Sequence, residues 1–512
     1  IGVRLVGSEM CIRDSGLTVR STFSPYAYFD RFGYAADTFT KSNKGTALPK
    51  ADLTNNNGYS YTWDNTVNFV RTIHKDHSID VMLGTSTYEA QWEHSYISVK
   101  DLPFNSKWHN IKSAGTEVAR ESWEGRDRLV SFMGRFNYSY KDKYLFTVTG
   151  RADGSSKLAQ GHKWGFFPSA AIAWRVTEEG FLKDNSVINN LKLRLSYGES
   201  GNNAVDNYST ILGTSSTQYD FDGTNANGQY LNRIKNDKLG WEKSKEINLG
   251  LDFAFWGGRL AGNVELYNKK TYDLILSQKI PQTNGFDNVG AVNVGATRNK
   301  GLEIGLNTVN IQTKDFSWTT NLSFATNKNE ITEIFGDSKD YPDQKLFIGQ
   351  PVLVHYDYAW DGIWQTSEKD EASKYGRLPG AVKEVDQDNS GTITPDKDRV
   401  ILGTPFPDWT GSITNTFTYK DFDFSVFIYT RQGEMKWSKF HTELQNEYLG
   451  EINQLKVDYW TPENPSNTFY RPGFNGGNTS LLCYKKTSFV RVGNMTLGYN
   501  MPLKWLKNCH IS

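Results

Sequence analysis

The connections of this chain sort by length. Very tight turns recur at His74-Lys75-Asp76-His77, Lys141-Asp142-Lys143, Trp256-Gly257-Gly258-Arg259, Lys314-Asp315 and Lys420-Asp421, each between two alternating segments. The stretches between successive hairpins are far longer and polar, notably 200–243, 329–407 and 433–487. Short turns at one rim and long loops at the other are the layout of an outer-membrane β-barrel. A soluble β-sandwich has no reason to sort its connections this way. The segment 177–190, read as a short helical connection, is the exception on the tight side.

Period two supports the same class. In Glu246 to Phe255, Ile247, Leu249, Leu251, Phe253 and Phe255 take one face, while Glu246, Asn248, Gly250, Asp252 and Ala254 take the other. One apolar face at period two is the signature of a strand. After Gly257-Gly258 the pattern resumes, with Leu260, Gly262, Val264 and Leu266 against Asn263, Glu265 and Tyr267. The face carrying Glu246, Asp252 and Glu265 must see water, and in a barrel that face is the lumen. Similar segments are predicted at 16–29, 59–71, 78–92, 129–140, 144–152, 166–175, 191–197, 301–310, 316–327, 409–419, 422–430 and 488–499, with a loop to about residue 57 after the first. The reading is all-β: an antiparallel transmembrane β-barrel of about fourteen strands. No fixed-period repeat appears, which argues against a propeller or solenoid. An open edge in lipid would leave about ten backbone groups unpaired at several kcal/mol each. The parent barrel is therefore expected to hold more strands than this chain supplies.

Composition is consistent with that reading. The chain has 512 residues, a mean hydropathy of −0.58 and no run of 18 apolar residues, so transmembrane helices are not supported. Barrel strands average to polar because they alternate lipid-facing and lumen-facing residues. Aromatic residues make up 14%, which suits interfacial girdles and also sugar-binding loops. A net charge of +0 gives no electrostatic case for nucleic acid. Cys11, Cys483 and Cys509 form neither a disulfide framework nor a metal spacing.

Both ends read as irregular. The segment 1–15 lacks strand alternation and resembles translated sequencing-adapter read-through, so it is expected to be foreign or unstructured. Residues 16–512 are expected to be barrel, with the long extracellular loop at 329–407. There is no initiating Met, no signal peptide and no aromatic-ended closing strand before Cys509-His510-Ile511-Ser512. The chain reads as an internal fragment.

One loop carries metal chemistry. Asp386-Gln387-Asp388-Asn389-Ser390-Gly391-Thr392-Ile393 is followed by Asp396 and Asp398. An EF-hand-type loop binds Ca²⁺ with oxygens from positions 1, 3, 5 and 7 and has Gly at 6 for the sharp turn. Asp386, Asp388, Ser390 and the Thr392 carbonyl occupy those positions, with Gly391 at the turn. Position 12 should be a bidentate acid but is Lys397, flanked by Asp396 and Asp398. The loop is read as a calcium staple for 329–407, and the plain alternative is an Asx-rich turn without an ion.

Loop aromatics form the second candidate set. Trp241, Tyr358, Trp360, Trp364 and Trp437 are the substrate-stacking candidates, beside Tyr356, Tyr459, Trp460 and Tyr470. Flat rings can stack on sugar faces while polar neighbours bind hydroxyls. Their plain reading is loop packing, partner contact or girdle. Glu178 and Glu179 read as a solvated turn rather than a glycosidase pair. His74, His77, His94, His109 and His162 make no metal cluster. No nucleophile elbow, P-loop or Cys–His arrangement supports an enzyme.

Several segments together resemble the SusC/RagA-type TonB-dependent outer-membrane receptors from about residue 16 onward. They are Asp153-Gly154-Ser155-Ser156-Lys157 with Gly165-Phe166-Phe167-Pro168-Ser169 and Ala173-Trp174-Arg175; Leu195-Ser196-Tyr197-Gly198 with Gly201-Asn202; Leu239-Gly240-Trp241-Glu242-Lys243 before Asn248-Leu249-Gly250; Tyr267-Asn268-Lys269-Lys270-Thr271; Asn299-Lys300-Gly301-Leu302-Glu303; and Arg491-Val492-Gly493-Asn494 through Leu497-Gly498-Tyr499. The resemblance implies a barrel of about 22 strands with an N-terminal plug, of which this chain would be part. It implies a SusD-like surface lipoprotein as lid, TonB as motor partner, and import of oligosaccharides or peptides across the cell outer membrane. This sequence departs from the pattern: it shows no plug, no TonB box and no carboxypeptidase-like extension, so TonB would act through parts missing here. The competing expectation is a secreted, calcium-stabilised all-β carbohydrate-binding or adhesion protein.

Overall fold

The computed structural model describes residues 9–12, 16–40, 47–103, 106–183, 185–279, 283, 288–444, 456–472 and 477–501. Fifteen strands belong to one sheet, and their order in it is their order in the chain. They are β1 (Glu9–Ile12), β2 (Leu17–Ala36), β3 (Lys50–Ile73), β4 (His77–Lys100), β5 (Thr116–Tyr140), β6 (Tyr144–Ser155), β7 (Trp164–Arg175), β8 (Ile188–Asn202), β9 (Glu242–Phe255), β10 (Leu260–Tyr272), β11 (Ala296–Gln312), β12 (Phe316–Glu333), β13 (Trp409–Tyr419), β14 (Phe422–Gln432) and β15 (Phe489–Tyr499). The architecture is an antiparallel β-meander of outer-membrane barrel type. Small hairpins, such as Gly213–Phe221 with Thr224–Arg233, stand in the long connections.

The tight turns work through left-handed backbone. Consecutive positive φ values occur at His74 and Lys75 (51° and 65°), Lys141 and Asp142 (52° and 54°), and Trp256 and Gly257 (53° and 67°). Two such residues in a row give the turn twist that matches right-twisted strands.

The chain divides into two compact units. One holds residues 1–175, 194–247 and 271–295; the other holds 176–193, 248–270 and 296–512. In the first, β1 to β7 form a continuous antiparallel ladder. Its register sorts side chains into two faces. Phe69, Val81, Phe136, Val148 and Ala170 stand opposite one another on one face. On the other face run Asp80, Asn137 and Thr147, and further along Asp64, Ser86, Ser131 and Asp153. Asn137 Nδ2 donates to Asp80 at 3.0 Å, and Thr147 Oγ1 donates to Asn137 at 2.8 Å. Arg151 Nε donates to both oxygens of Asp153 at 2.8 and 2.9 Å. An apolar row beside a self-satisfied polar row is what lipid on one side and a wet lumen on the other require.

Both units place aromatic rings on the apolar face at the tight-turn rim. His77, Tyr140, Tyr144 and Trp174 form one such row, and Phe316, Tyr419, Phe422 and Tyr499 form the other. These rows have the composition of an interfacial girdle.

Several sequence expectations are corrected. Both ends of the stretch expected as loop, 30–36 and 50–57, are strand, because β2 and β3 pair without a break from Leu17↔Phe69 to Ala36↔Lys50. Twenty-four residues of β3 span about 80 Å at 3.4 Å each, far more than an apolar band of about 25 Å, so β2 to β5 continue beyond the membrane. Among the described residues the connection 177–190 holds the short 3₁₀ turn Val176–Glu178 and hydrogen-bonded turns at 179–183, and β8 already begins at Ile188. Glu9–Ile12 pairs with Leu17–Arg20 and so joins the sheet; residues 1–8 and 13–15, and the end at Cys509–Ser512, lie outside the described residues.

The second unit has an additional core in its loops. Tyr358, Ile363 and Val382 from the connection after β12 pack with Trp460, Phe469, Tyr470, Leu481 and Leu482 from the connection after β14. Ile363 N–H donates to Asn467 Oδ1 at 2.7 Å, and Arg471 N–H to Gly380 O at 2.9 Å. The two long loops therefore fold on each other.

Candidate functional site

The acidic loop is compact. Carboxylate oxygens of Asp386, Asp388 and Asp398 lie within 4.8 Å of one another, the one such grouping of acids, His or Cys among the described residues. Asn389 (φ 56°) and Gly391 (φ 81°) turn the backbone back through left-handed conformations, which Asn and Gly tolerate best. That aims N–H groups inward: Gly391 donates to Asp386 Oδ2 at 2.7 Å, and Ser390 donates to Asp388 Oδ1 at 3.1 Å. Asp398 is fully buried, and its oxygens accept from Gln387 N–H at 2.8 Å and Thr394 N–H at 2.7 Å. Ser390 Oγ donates to the Thr392 carbonyl at 3.1 Å. Desolvation raises the Asp386 pKa, but the backbone donors Gly391 and Ser390 together with the Asp388 and Tyr375 side chains outweigh it and hold the carboxyl below the usual range.

Of the two acids that flank Lys397, the structure brings in Asp398. Asp396 is exposed and stands outside the three-acid group, because the short helix Pro395–Asp398 turns successive side chains to different sides. Asp386, Asp388 and Asp398, with the nearby Ser390 and Thr392 oxygens, are the groups that could hold a hard divalent cation.

The aromatic candidates divide by burial. Trp241 is 6% exposed, meets Phe167 edge-on at 5.3 Å, and donates Nε1–H to Lys163 O at 2.9 Å. Trp364 is 3% exposed, stacked on Tyr375 at 5.9 Å with the Lys383 ammonium 4.6 Å from its ring centre. Tyr358 is buried in the loop core with Arg399 over its ring. The stacking expectation is corrected for these three, whose faces are taken by neighbours. Trp360 packs half-buried against the same core, as buried Trp460 and Tyr470 do within it. Trp437 is 41% exposed on the short strand Met435–Trp437.

A second aromatic set went unnoticed in the sequence because it lies in strands. Tyr28, Trp92 and Trp123 stand on the face of β2, β4 and β5 that carries Asp64 and Ser86. His94 stacks on Trp123 at 5.1 Å, and its Nδ1 lies 2.7 Å from Asn56 Oδ1. Glycines Gly58 and Gly125, interrupting strands beside these rings, were the available signal.

Comparison with known proteins agrees with the fold. Residues 13–508 match the family model described as TonB dependent receptor-like, beta-barrel. TonB-dependent receptor P26 of Formosa agariphila is 32% identical over 515 residues, covering 95% of this chain and 51% of the relative. TonB-dependent receptor SusC of Bacteroides thetaiotaomicron is 34% identical over 395 residues, covering 74% of this chain and 38% of the relative. The chain thus spans about half or less of the length of these relatives. Among solved structures, the RagAB peptide transporter superposes with a TM-score of 0.80 at 22% identity, covering 96% of this chain and 54% of that one. The apolar face beside a polar face, the sorted connections and the family match set aside a secreted adhesion protein: the chain belongs to the TonB-dependent receptor-like β-barrel family of the outer membrane, and within it to the SusC/RagA type.

Proposed function

We propose that this chain forms part of a barrel that imports large nutrients, oligosaccharides or peptides, across the outer membrane, energised by TonB and lidded by a SusD-like lipoprotein. The observation that carries this reading is the polar row Asp64, Ser86, Ser131 and Asp153, in which Ser86 donates to Asp64 and Arg151 donates to both Ser131 and Asp153, back to back with an apolar row along the same strands. Such a wall suits a solvated passage. Relatives named TonB-dependent receptor, SusC and RagAB support the class of activity. No catalytic arrangement is part of the proposal.

Within this reading the Asp386 loop is a calcium staple. It would fix the outer loop through Asp386, Asp388 and Asp398, with Ser390 and Thr392 supplying further oxygens. Its role is to hold shape rather than to transport.

Deletion of the coding region in the source cell, followed by uptake of labelled oligosaccharides and peptides, tests import. Loss of uptake for one class, restored by the complete gene, is the expected outcome. Unchanged uptake of every class overturns the proposal. Co-purification of a surface lipoprotein with the tagged receptor tests the lid.

A further inference from the structure

The apolar face of β2 to β7 ends in a second aromatic row. Phe23, Trp63, Thr87, Val130, Gly154 and Trp164 stand opposite one another on the face of Phe69 and Phe136. Phe23, Trp63 and Trp164 are exposed. The Trp164 indole lies over the bare backbone of Gly154, where a Cβ would fall 2.8 Å from it. Thr87 lies ten residues beyond His77 of the tight-turn row in β4, about 34 Å along the strand at 3.4 Å each. At a tilt of about 40° that is about 26 Å of height, the thickness of an apolar band. The two rows are therefore the two girdles of one membrane.

Charged side chains begin at the next step outward. Pro25, Tyr61, Glu89 and Arg128 form that row, and Ala27, Tyr59, Gln91 and Arg126 form the one after it. They stand about 5 and 10 Å above the girdle, at the depth of lipid headgroups. We infer that Arg126 and Arg128 form a site on the outer wall of the barrel for the phosphate of an outer-leaflet lipid.

Glu89 organises the site. Its Oε1 accepts from Arg126 Nε at 2.9 Å, from Arg126 Nη2, and from Arg128 Nη2 at 3.0 Å. Its Oε2 accepts from Tyr61 Oη at 3.1 Å. The Glu89 side chain is 13% exposed, whereas those of Arg126 and Arg128 are 44% and 51% exposed. One carboxylate cannot neutralise two guanidiniums, so a positive charge is left over on a lipid-facing wall. A guanidinium has five N–H donors in a fixed fork, and Glu89 takes two from Arg126 and one from Arg128. The other donors meet no protein acceptor among the described residues. Two such forks side by side suit a phosphate, which accepts paired bonds from arginine.

Position selects a lipid over a dissolved anion. One row beyond Arg126, Glu93 and Glu124 stand opposite each other on the same face, and Glu124 accepts from Gln91 Nε2 at 2.8 Å. An anion arriving from outside the cell would pass these carboxylates. A lipid phosphate arrives by lateral diffusion at the level of the arginines, with its acyl chains against Trp63, Val67 and Leu83 below. Tyr61 and Tyr59, whose hydroxyl donates to Gln91 at 2.7 Å, flank the site. Rings with an apolar body and a polar tip belong at such an interface.

The test uses the full chain in uncharged detergent, with bound lipid counted by native mass spectrometry and affinity read by titration. The probes are lipid A carrying one phosphate, the same lipid after phosphatase treatment, and inorganic phosphate. The phosphorylated lipid is expected to bind, and the pair Arg126→Gln/Arg128→Gln to weaken it about tenfold or more. Arg126→Lys/Arg128→Lys keeps the charge without the forks and should lose less. Arg120→Gln removes a charge from the same face further out, beside Glu117, and should change nothing. Heat-modifiable migration identifies variants whose barrel is intact. Should the glutamine pair lose its barrel, the lipid with and without its phosphate still decides. Unchanged affinity in the glutamine pair, an equal loss in Arg120→Gln, or equal binding of the dephosphorylated lipid overturns the inference. Inorganic phosphate that binds as tightly as the lipid overturns the lipid source. A receptor dimer that the glutamine pair dissociates would assign the arginines to a protein contact, and that also overturns it.

Discussion

The indole N–H of Trp460 donates to the side-chain oxygen of Gln365 at 3.0 Å across 95 residues of chain. This bond, with Ile363 N–H on Asn467 and Arg471 N–H on Gly380, ties two extracellular connections into one folded body.

Trp460→Ala should therefore loosen both loops together. Truncating a buried Trp costs about 3–5 kcal/mol, and this ring is 2% exposed. Limited proteolysis is expected to cut in both 360–384 and 456–472, while heat-modifiable migration of the barrel is unchanged. Gln365→Ala should act in the same direction but more weakly, since it orphans one buried donor at about 1–3 kcal/mol. Cleavage confined to one loop would contradict a shared core.

The face assignment predicts opposite outcomes at adjacent residues. Phe136 stands in the apolar row, whereas Asn137 stands beside Asp80 in the polar row. Phe136→Arg should destabilise the barrel in bilayers by about 2–4 kcal/mol at mid-depth. Asn137→Arg places its charge against the Asp80 carboxylate and should be tolerated. Urea titration of folding into lipid vesicles measures both. Equal losses would reverse or abolish the two-faced reading.

Calcium should protect the acidic loop. With calcium present, cleavage within 386–398 is expected to slow, and chelation should restore it. Asp386→Asn should remove the calcium effect. Asp398→Asn should do so as well, and it also weakens the loop without the ion, because Asp398 accepts two backbone N–H groups. Terbium luminescence gives an independent reading of ion binding. Protection that persists in Asp386→Asn would remove the ion from the account.

Acid should open the same loop. The Asp386 carboxyl titrates below its ordinary value because, against desolvation, the Gly391 and Ser390 N–H groups and the Asp388 and Tyr375 side chains together favour the charged form. A depressed carboxylate gives stability that is fully present above the unfolded value, about pH 3.9, and is lost as pH falls through the lower folded value. Pepsin cleavage of the calcium-free loop should therefore rise only below about pH 4. A rise centred near pH 6 would implicate another group.

The sequence made the tight rim legible because turn chemistry is local. The residue pairs His74-Lys75 and Lys141-Asp142 announced their turns, and Trp409–Tyr419 was read with its observed ends. Strand ends were less legible where tertiary pairing overrode propensity. Asn55 to Asn57 looks like a loop, yet each has a partner on both neighbouring strands, and β-propensity yields to such context.

Aromatic roles were harder to read for a related reason. Whether a loop Trp faces water depends on contacts far away in the chain. Trp364 lies against Tyr375 and Lys383, and Trp241 lies against Phe167, so neither fate is written in its own neighbourhood. Trp92 looked like an ordinary strand residue. Its partner Gly125 was 33 positions away and becomes informative only once the register is known.

The joined loops bear on how such receptors diversify. A crossover that replaced 334–408 alone would leave Trp460, Phe469 and Leu481 facing an unfamiliar surface, and the Trp460 indole N–H without its Gln365 acceptor. Inheritance of a new outer loop is therefore viable mainly as a tandem block that carries both connections and the β13–β14 hairpin between them.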